Sequence, residues 1–251
     1  MIRGVIFDLG STLIEFKGDW DEVFAQGVVN LLQGLRAAGV TLEETAFGDR
    51  FRREMAEVDR ARHIDYRERP TSSTVRRLLD EMGFEGVDDA AIEAAIERMF
   101  AVSETWWHPM PGVREVLETL RHRGYRLGMI SNAGDAANAR RLIRKTGVED
   151  YFQPILISSE VGWRKPHEDI FLRVLRSWSV KAEEVVMVGD TLLEDILGAK
   201  NAGLRQIWLR ADGQLQERMP GEAELVPDAV ADTLTQVPAL VENLRRQIPA
   251  G

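Results

Sequence analysis

Four short segments carry side chains fit for chemistry: Asp8-Leu9-Gly10-Ser11-Thr12, Ser131-Asn132, Lys165-Pro166, and Gly189-Asp190 followed by Asp195. Asp8 comes straight after the apolar run Val5-Ile6-Phe7, which places a carboxylate at the open end of a strand. A carboxylate there can attack phosphorus in line and form an aspartyl-phosphate. Gly10 and the small residues after it let the backbone turn sharply and bring amide N–H groups close to an anion. Ser131-Asn132 ends a second apolar run, and a hydroxyl beside amides at a strand end suits a phosphoryl oxygen. Lys165 offers a compact point charge in a chain that otherwise relies on arginine. Asp190 ends the apolar run 185–188, where a carboxylate suits Mg²⁺, an ion that takes a few hard oxygen ligands and keeps several waters. Each segment alone has a plainer reading: a turn-capping aspartate, a loop N-cap, a surface lysine before a helix. The spacing Gly-Asp-x-x-x-x-Asp-x-x-Gly-Ala from Gly189 to Ala199 is the most specific of the signals after the first motif.

Five short apolar runs rich in β-branched residues, 2–9, 127–131, 154–158, 185–188 and 206–209, read as buried strands. Between them the 3.6-residue period predicts helices over 113–123, 135–146, 169–178 and 192–202. Alternation of this kind points to βαβ units and a parallel sheet covered on both faces. Ligands in such sheets bind at the carboxyl ends of the strands, where all four segments fall. The stretch 17–107 shows no strand pattern and predicts helices over 23–37, 45–66, 73–82 and 88–100. Thr41-Leu42-Glu43-Glu44 reads as a capping box for the second of these. The tail 222–251 is expected to close the core with a short strand and a helix.

Taken together and in this order, the four segments resemble the haloacid dehalogenase (HAD) superfamily of hydrolases, most of which are phosphatases. The resemblance runs from Asp8 through Gly203. It implies an α/β core with a Rossmann-like, doubly wound parallel sheet, formed by residues 1–16 and 108–251. It also implies an inserted all-α cap domain over 17–107. By the same resemblance Asp8 is the nucleophile, and Ser131, Asn132 and Lys165 hold the phosphoryl group, Lys165 also orienting the nucleophile. Mg²⁺ would sit on Asp8, the Gly10 carbonyl and Asp190, with Asp195 supporting a metal-bound water or Lys165.

The chain departs from the family pattern at one telling place. The first motif usually reads Asp-x-Asp-x-Thr, and its second aspartate, here Gly10, protonates the leaving group and later activates water. Loss of such a group typically costs about 10²–10⁴ in rate. The expected activity is therefore that of a Mg²⁺-dependent phosphohydrolase on a small phosphorylated metabolite. It would be slow, or specialised for leaving groups that need little protonation, such as acyl or aryl phosphates. Glu15, Asp19, His63 and His108 are conceivable substitute acids. One alternative is a phospho-ligand binding or regulatory protein that has lost turnover. Others are a 2-haloacid dehalogenase, since halide needs no proton, and a phosphonatase-like enzyme. The last would need a cap lysine, and none occurs between Asp19 and His108.

Composition sets outer limits. The 251 residues are 44% hydrophobic and 29% charged, an ordinary balance for a folded domain with a full core. A net charge of -9 argues against broad binding to nucleic acid or anionic membrane. The absence of cysteine excludes disulfides, thiolate nucleophiles and cysteine metal sites. No apolar stretch is long enough to span a bilayer, and the residues before Asp8 are too few for a signal peptide, so a cytoplasmic monomer or homodimer is expected. Arg60, Arg62, Arg67 and Arg69 gather around His63 and Tyr66; the plain reading is a solvated helix end closed by Pro70, the sharper one an anion-facing cluster. Trp106-Trp107 read as packing where the cap rejoins the core, in preference to a stacking platform.

Overall fold

Alternation of apolar side chains within single strands organises the centre of the molecule. In the computed structural model, which describes residues 1–210 and 225–247, strand β1 (Gly4–Phe7) sends Val5 and Phe7 to one helical layer and Ile6 to the other. Strands β4 (Arg126–Ser131), β5 (Ile155–Ile157), β6 (Val185–Gly189), β7 (Arg205–Leu209) and β8 (Ala229–Ala231) join it in a single sheet. The order is β5-β4-β1-β6-β7-β8, and every pairing is parallel. On one face lie α5 (Val113–His122), α6 (Ala136–Thr146) and α10 (Val237–Gln247); on the other lie α8 (Glu168–Trp178) and the short α9 (Gly198–Asn201), while a single turn, α7 (Ser158–Val161), follows β5. Each fully buried Val, Leu, Ile or Phe in these layers contributes roughly 1.5–3 kcal/mol.

The chain runs from β1 out to β5, then returns across β1 to lay down β6, β7 and β8. Such a reversal opens a crevice outside the carboxyl ends of the central strands. Asp8, Ser131 and Asp190 stand at the ends of β1, β4 and β6. This is the doubly wound parallel architecture that the strand and helix periods predict.

Four helices are inserted between two three-residue strands, β2 (Ile14–Phe16) and β3 (Trp107–Pro109). They are α1 (Trp20–Ala37), α2 (Glu44–Asp65), α3 (Thr71–Glu81) and α4 (Asp89–Glu104), and they share an apolar cluster of their own around Leu31, Leu35, Phe47, Phe51, Leu78 and Ile96. Sequence pattern misses β2 and β3, which pair antiparallel with Phe16 opposite Trp107; strands this short carry no usable period. It also misplaces two caps. Glu43, not Thr41, caps α2, accepting from the Thr45 and Ala46 amides. That helix ends at Asp65 with Tyr66 left-handed (φ 55°), and Pro70 precedes α3 instead of closing α2. In the tail, β8 and α10 supply the expected strand and helix, while residues 222–224 and 248–251 lie outside the described residues. Among the described residues no helix is long and apolar enough to cross a membrane.

Candidate active site

The loop after β1 is held by its own backbone. The Asp8 amide donates to the Val188 carbonyl at 3.0 Å, and the Leu13 and Ile14 amides both return to the Leu9 carbonyl. The left-handed residue in this loop is Ser11 (φ 57°), not Gly10. Of the small residues expected to let the backbone turn here, Ser11 takes the strained position, where a non-glycine residue is uncommon and marks a constrained site.

Lys165 ties the site together. Its side chain is 1% exposed, and its ammonium contacts Asp8 Oδ1 and lies 2.6 Å from Asp195 Oδ1. Asp195 spends its other oxygen on the Thr191 amide at 3.0 Å. A π-helical turn, Leu192–Leu197, carries Asp195 inward. Gly189 makes room for it, because a Cβ there would lie 2.2 Å from Asp195 Cγ. Thr12 Oγ1 donates to Asp190 Oδ1 at 3.2 Å, and the Trp208 indole N–H to the Asp190 carbonyl at 2.8 Å. Asn132 grips the Lys165 backbone from both sides, donating to its carbonyl at 3.0 Å and accepting from its amide at 2.9 Å. Its side-chain amide is thus engaged with the Lys165 backbone, while Asn132 also lines the cavity in which it is expected to meet the phosphoryl group. Ser131 lines the cavity above Asp8.

Three carboxylates surround one ammonium, so negative charge is in surplus. Burial pushes the Asp8 carboxyl up, against the opposing pull of Lys165. Burial, then the Asp8 charge, push Asp190 up to about 7. Asp195 is raised well above the usual carboxylate range, again by burial first, with Lys165 opposing. Burial works to lower the Lys165 pKa, but Asp195 and Asp8 outweigh it and hold it above its ordinary value. Oxygen atoms of Asp8, Asp190 and Asp195 all lie within 4.8 Å of one another, an arrangement able to hold a metal ion. Asp195 has both oxygens engaged, which leaves Asp8 and Asp190 as the carboxylates facing the cavity.

That cavity has a volume of about 370 Å³. Asp8, Gly10, Ser131, Asn132 and Asp190 line it together with Glu194, which sequence reasoning passed over. None of the proposed substitute acids lines it. Glu15 pairs with Lys17 at 2.8 Å, Asp19 caps α1, the His63 ring meets the Asp59 carbonyl at 2.8 Å, and His108 is exposed on β3. Nor does the arginine cluster face it. Arg60 pairs with Glu57, Arg69 with Asp65, and Arg67 lies 3.6 Å over the Trp163 ring. Arg62 is not solvated: it meets buried Glu68 at 2.7 Å. Glu68 in turn accepts from Ser158 Oγ at 2.6 Å, and that hydroxyl accepts from the Ala133 amide at 2.9 Å. The only sequence signal for Glu68 was one acidic residue amid arginines.

The family model for haloacid dehalogenase-like hydrolases matches residues 2–203, and the chain belongs to that family. It is thus an enzyme, a hydrolase whose relatives include named phosphatases. The glyceraldehyde 3-phosphate phosphatase of Pyrococcus abyssi (strain GE5 / Orsay) is 31% identical over 217 residues, covering 84% of this chain and 82% of its own length. The glyceraldehyde 3-phosphate phosphatase of Methanopyrus kandleri is 29% identical over 252 residues, covering 98% of this chain and 100% of its own. Among solved structures, a 2-haloacid dehalogenase from Pseudomonas syringae pv. Tomato DC3000 matches with a TM-score of 0.68 and 28% identity, over 97% of this chain and 99% of that one.

Proposed function

We propose that the chain is a Mg²⁺-dependent phosphatase for a small phosphorylated metabolite, with Asp8 as nucleophile. One observation carries this reading above the others: Asp8 stands at the carboxyl end of the central strand in contact with a buried lysine, inside a carboxylate cluster with surplus negative charge. Asp8, the Gly10 carbonyl and Asp190 would hold the cation. Bound there, Mg²⁺ supplies charge neutralisation and fixes the orientation of the phosphoryl oxygens. The Asp8 carboxylate attacks phosphorus and takes over the phosphoryl group. Lys165 holds Asp8 in place and offsets charge on that group, while Asn132 holds Lys165 and Ser131 meets a phosphoryl oxygen. Asp195 keeps Lys165 protonated and aimed. The helices of 17–107 act as a cap domain over a core of 1–16 and 108–251, shielding the crevice from water.

Turnover of p-nitrophenyl phosphate, with and without Mg²⁺, tests the assignment on wild type and Asp8→Asn. The expected result is Mg²⁺-dependent release that falls by on the order of 10³-fold or more in Asp8→Asn, as for other lost nucleophiles. Unchanged activity in that variant would sink it.

Dehalogenase chemistry is a second reading, favoured by Gly10 together with the likeness to the Pseudomonas syringae structure. The acidic cluster speaks against it, because halide displacement makes no use of a cation site. Halide released from a 2-haloacid without Mg²⁺ would decide for it.

A further inference from the structure

The cavity above Asp8 has a wall that phosphoryl chemistry does not use. Trp20, from the start of α1, and Trp107, from β3, both line it. Phe16 stacks on Trp20 with ring centroids 3.7 Å apart and planes 13° from parallel. Trp107 meets both edge-on, at 5.3 Å and 5.8 Å. The cluster is braced, yet Trp20 is 56% exposed. A braced aromatic ring left open beside a nucleophile has the properties of a ligand surface rather than of core packing.

The charges in the cavity narrow the ligand further. Among the described residues no lysine, arginine or histidine lines it, whereas Asp8, Asp135, Asp190 and Glu194 do. Of the charged side chains that line it, a leaving group bearing a second phosphate or carboxylate would meet only acids. The acids are also committed: Asp135 accepts from the Asn138 amide at 2.6 Å, and Glu194 pairs with Arg164 at 2.9 Å. Finally, a Cβ on Gly10 would come within 3.6 Å of Trp107 Cη2. The place from which a proton donor would project is glycine, and the indole edge stands beside it.

Resting on the phosphatase reading, we infer that the substrate is an aryl phosphate monoester with an uncharged ring. The ring lies against Trp20 and Trp107 while the phosphoryl group sits at Asp8. An Asp8 oxygen bonds to phosphorus as the P–O bond to the ring oxygen breaks, and the electron pair departs on an aryloxide that takes its proton from solvent. Water then bonds to phosphorus, the P–O bond to Asp8 breaks, the carboxylate is regained and the water's surplus proton goes to solvent. An aryloxide leaves with little protonation, whereas an alkoxide needs the acid that Gly10 cannot supply, so the glycine costs least on such a substrate.

Calorimetric binding of phenylphosphonate and cyclohexylphosphonate, in the presence of Mg²⁺, separates ring recognition from turnover. Wild type is expected to bind the phenyl compound about five- to tenfold tighter, and both Trp20→Leu and Trp107→Leu to lose that margin. Equal affinities in wild type, or an undiminished margin in both folded variants, would overturn the inference. In turnover, the kcat/KM ratio of phenyl to cyclohexyl phosphate should shrink by about tenfold or more in Gly10→Asp, through a gain on the cyclohexyl ester. A ratio unmoved by that change, or faster hydrolysis of a nucleoside 5′-monophosphate than of phenyl phosphate, counts against it. Asp8→Asn separates the two levels. Loss of turnover on both esters keeps the phosphatase reading standing even where the ring preference fails; no loss on either removes that reading itself.

Discussion

Arg164 and Lys165 are neighbours in sequence, but they enter two different ionic clusters. Lys165 joins Asp8 and Asp195, with Asp190 close by: one cation among three carboxylates. Arg164 lies between Glu68, at 4.0 Å, and Glu194, at 2.9 Å, while Arg62 completes the set on Glu68. The second cluster is balanced, two arginines to two glutamates, and its hydrogen bonds run on through Ser158 to Ala133. The first is unbalanced, and its carboxyl groups are pushed up, by burial first and by neighbouring negative charge after it. Buried charges that merely support a fold are paired off; a surplus persists where something else is to supply the missing charge. This contrast supports the proposed cation and reaction at the Lys165 cluster, whereas the Glu68 cluster ties the loop 66–71 to the core.

The largest effect should come from Lys165→Met. The buried carboxylates would lose their only ammonium, and turnover should fall on the order of 10²–10³-fold, as when one preorganised electrostatic partner is removed. Stability should suffer less than activity, because Asp8 and Asp195 can relieve the lost pairing by taking up protons. Steady-state kinetics beside a thermal melt reads both numbers. A variant that melts early but turns over normally would invert the comparison.

Glu68→Ala tests the other cluster. Arg62, whose side chain is 11% exposed, would keep its charge with the Arg69 carbonyl but no carboxylate to meet it, since arginine cannot shed its proton. Breaking a buried pair in this way costs about 3–5 kcal/mol, and at about 2–4 °C per kcal/mol the midpoint should fall by roughly 6–20 °C. Glu68→Gln, which can still accept from Ser158, should lose less. Equal melts for both variants would show that the hydrogen bond contributes nothing beyond the ion pair, whereas a Glu68→Gln melt equal to wild type would show the reverse.

How much of this was legible in sequence depends on how local each cause is. Strands β1, β4 and β6 announce themselves because residues buried on both faces make unbroken apolar runs, and Asp8 and Asp190 are read off their ends. The convergence of Lys165 on them follows from the family resemblance, not from any local pattern. Glu68 was illegible because its partner Ser158 lies 90 residues away. The grip of Asn132 on the Lys165 backbone was illegible for a like reason, since that backbone lies 33 residues on. Trp20 became a cavity wall only once β2 and β3 had paired and brought the two ends of the helical insert together.

A smaller effect comes from the proton itself. Asp190 has a usual pKa of 3.8 and a folded one of about 7, so the folded, metal-free protein favours the protonated form. The stability this contributes is full below about pH 4 and is lost as pH rises through 7; raised values at Asp8 and Asp195 act in the same sense. Mg²⁺ should replace the missing proton, so its stabilising effect in a melt should be larger at pH 8 than at pH 5. An equal shift at both values would show that the surplus charge is not what the cation answers.

The smallest predicted effect sits at the rim of the balanced cluster. Arg67 lies 3.6 Å over the Trp163 ring, and that ring stacks on His167 at 3.7 Å. An exposed cation–π contact is worth about 0.5–1 kcal/mol, so Arg67→Ala should lower the melting midpoint by only about 1–4 °C. Turnover should not change, because Arg67 touches neither Lys165 nor the cavity above Asp8. Yet Trp163 precedes Arg164 and Lys165 directly, which makes this mild variant the sharpest probe of their independence. A fall of tenfold in kcat with an almost unchanged melt would mean that the loop 66–71 sets the position of Lys165, and the two clusters would then have to be treated as one.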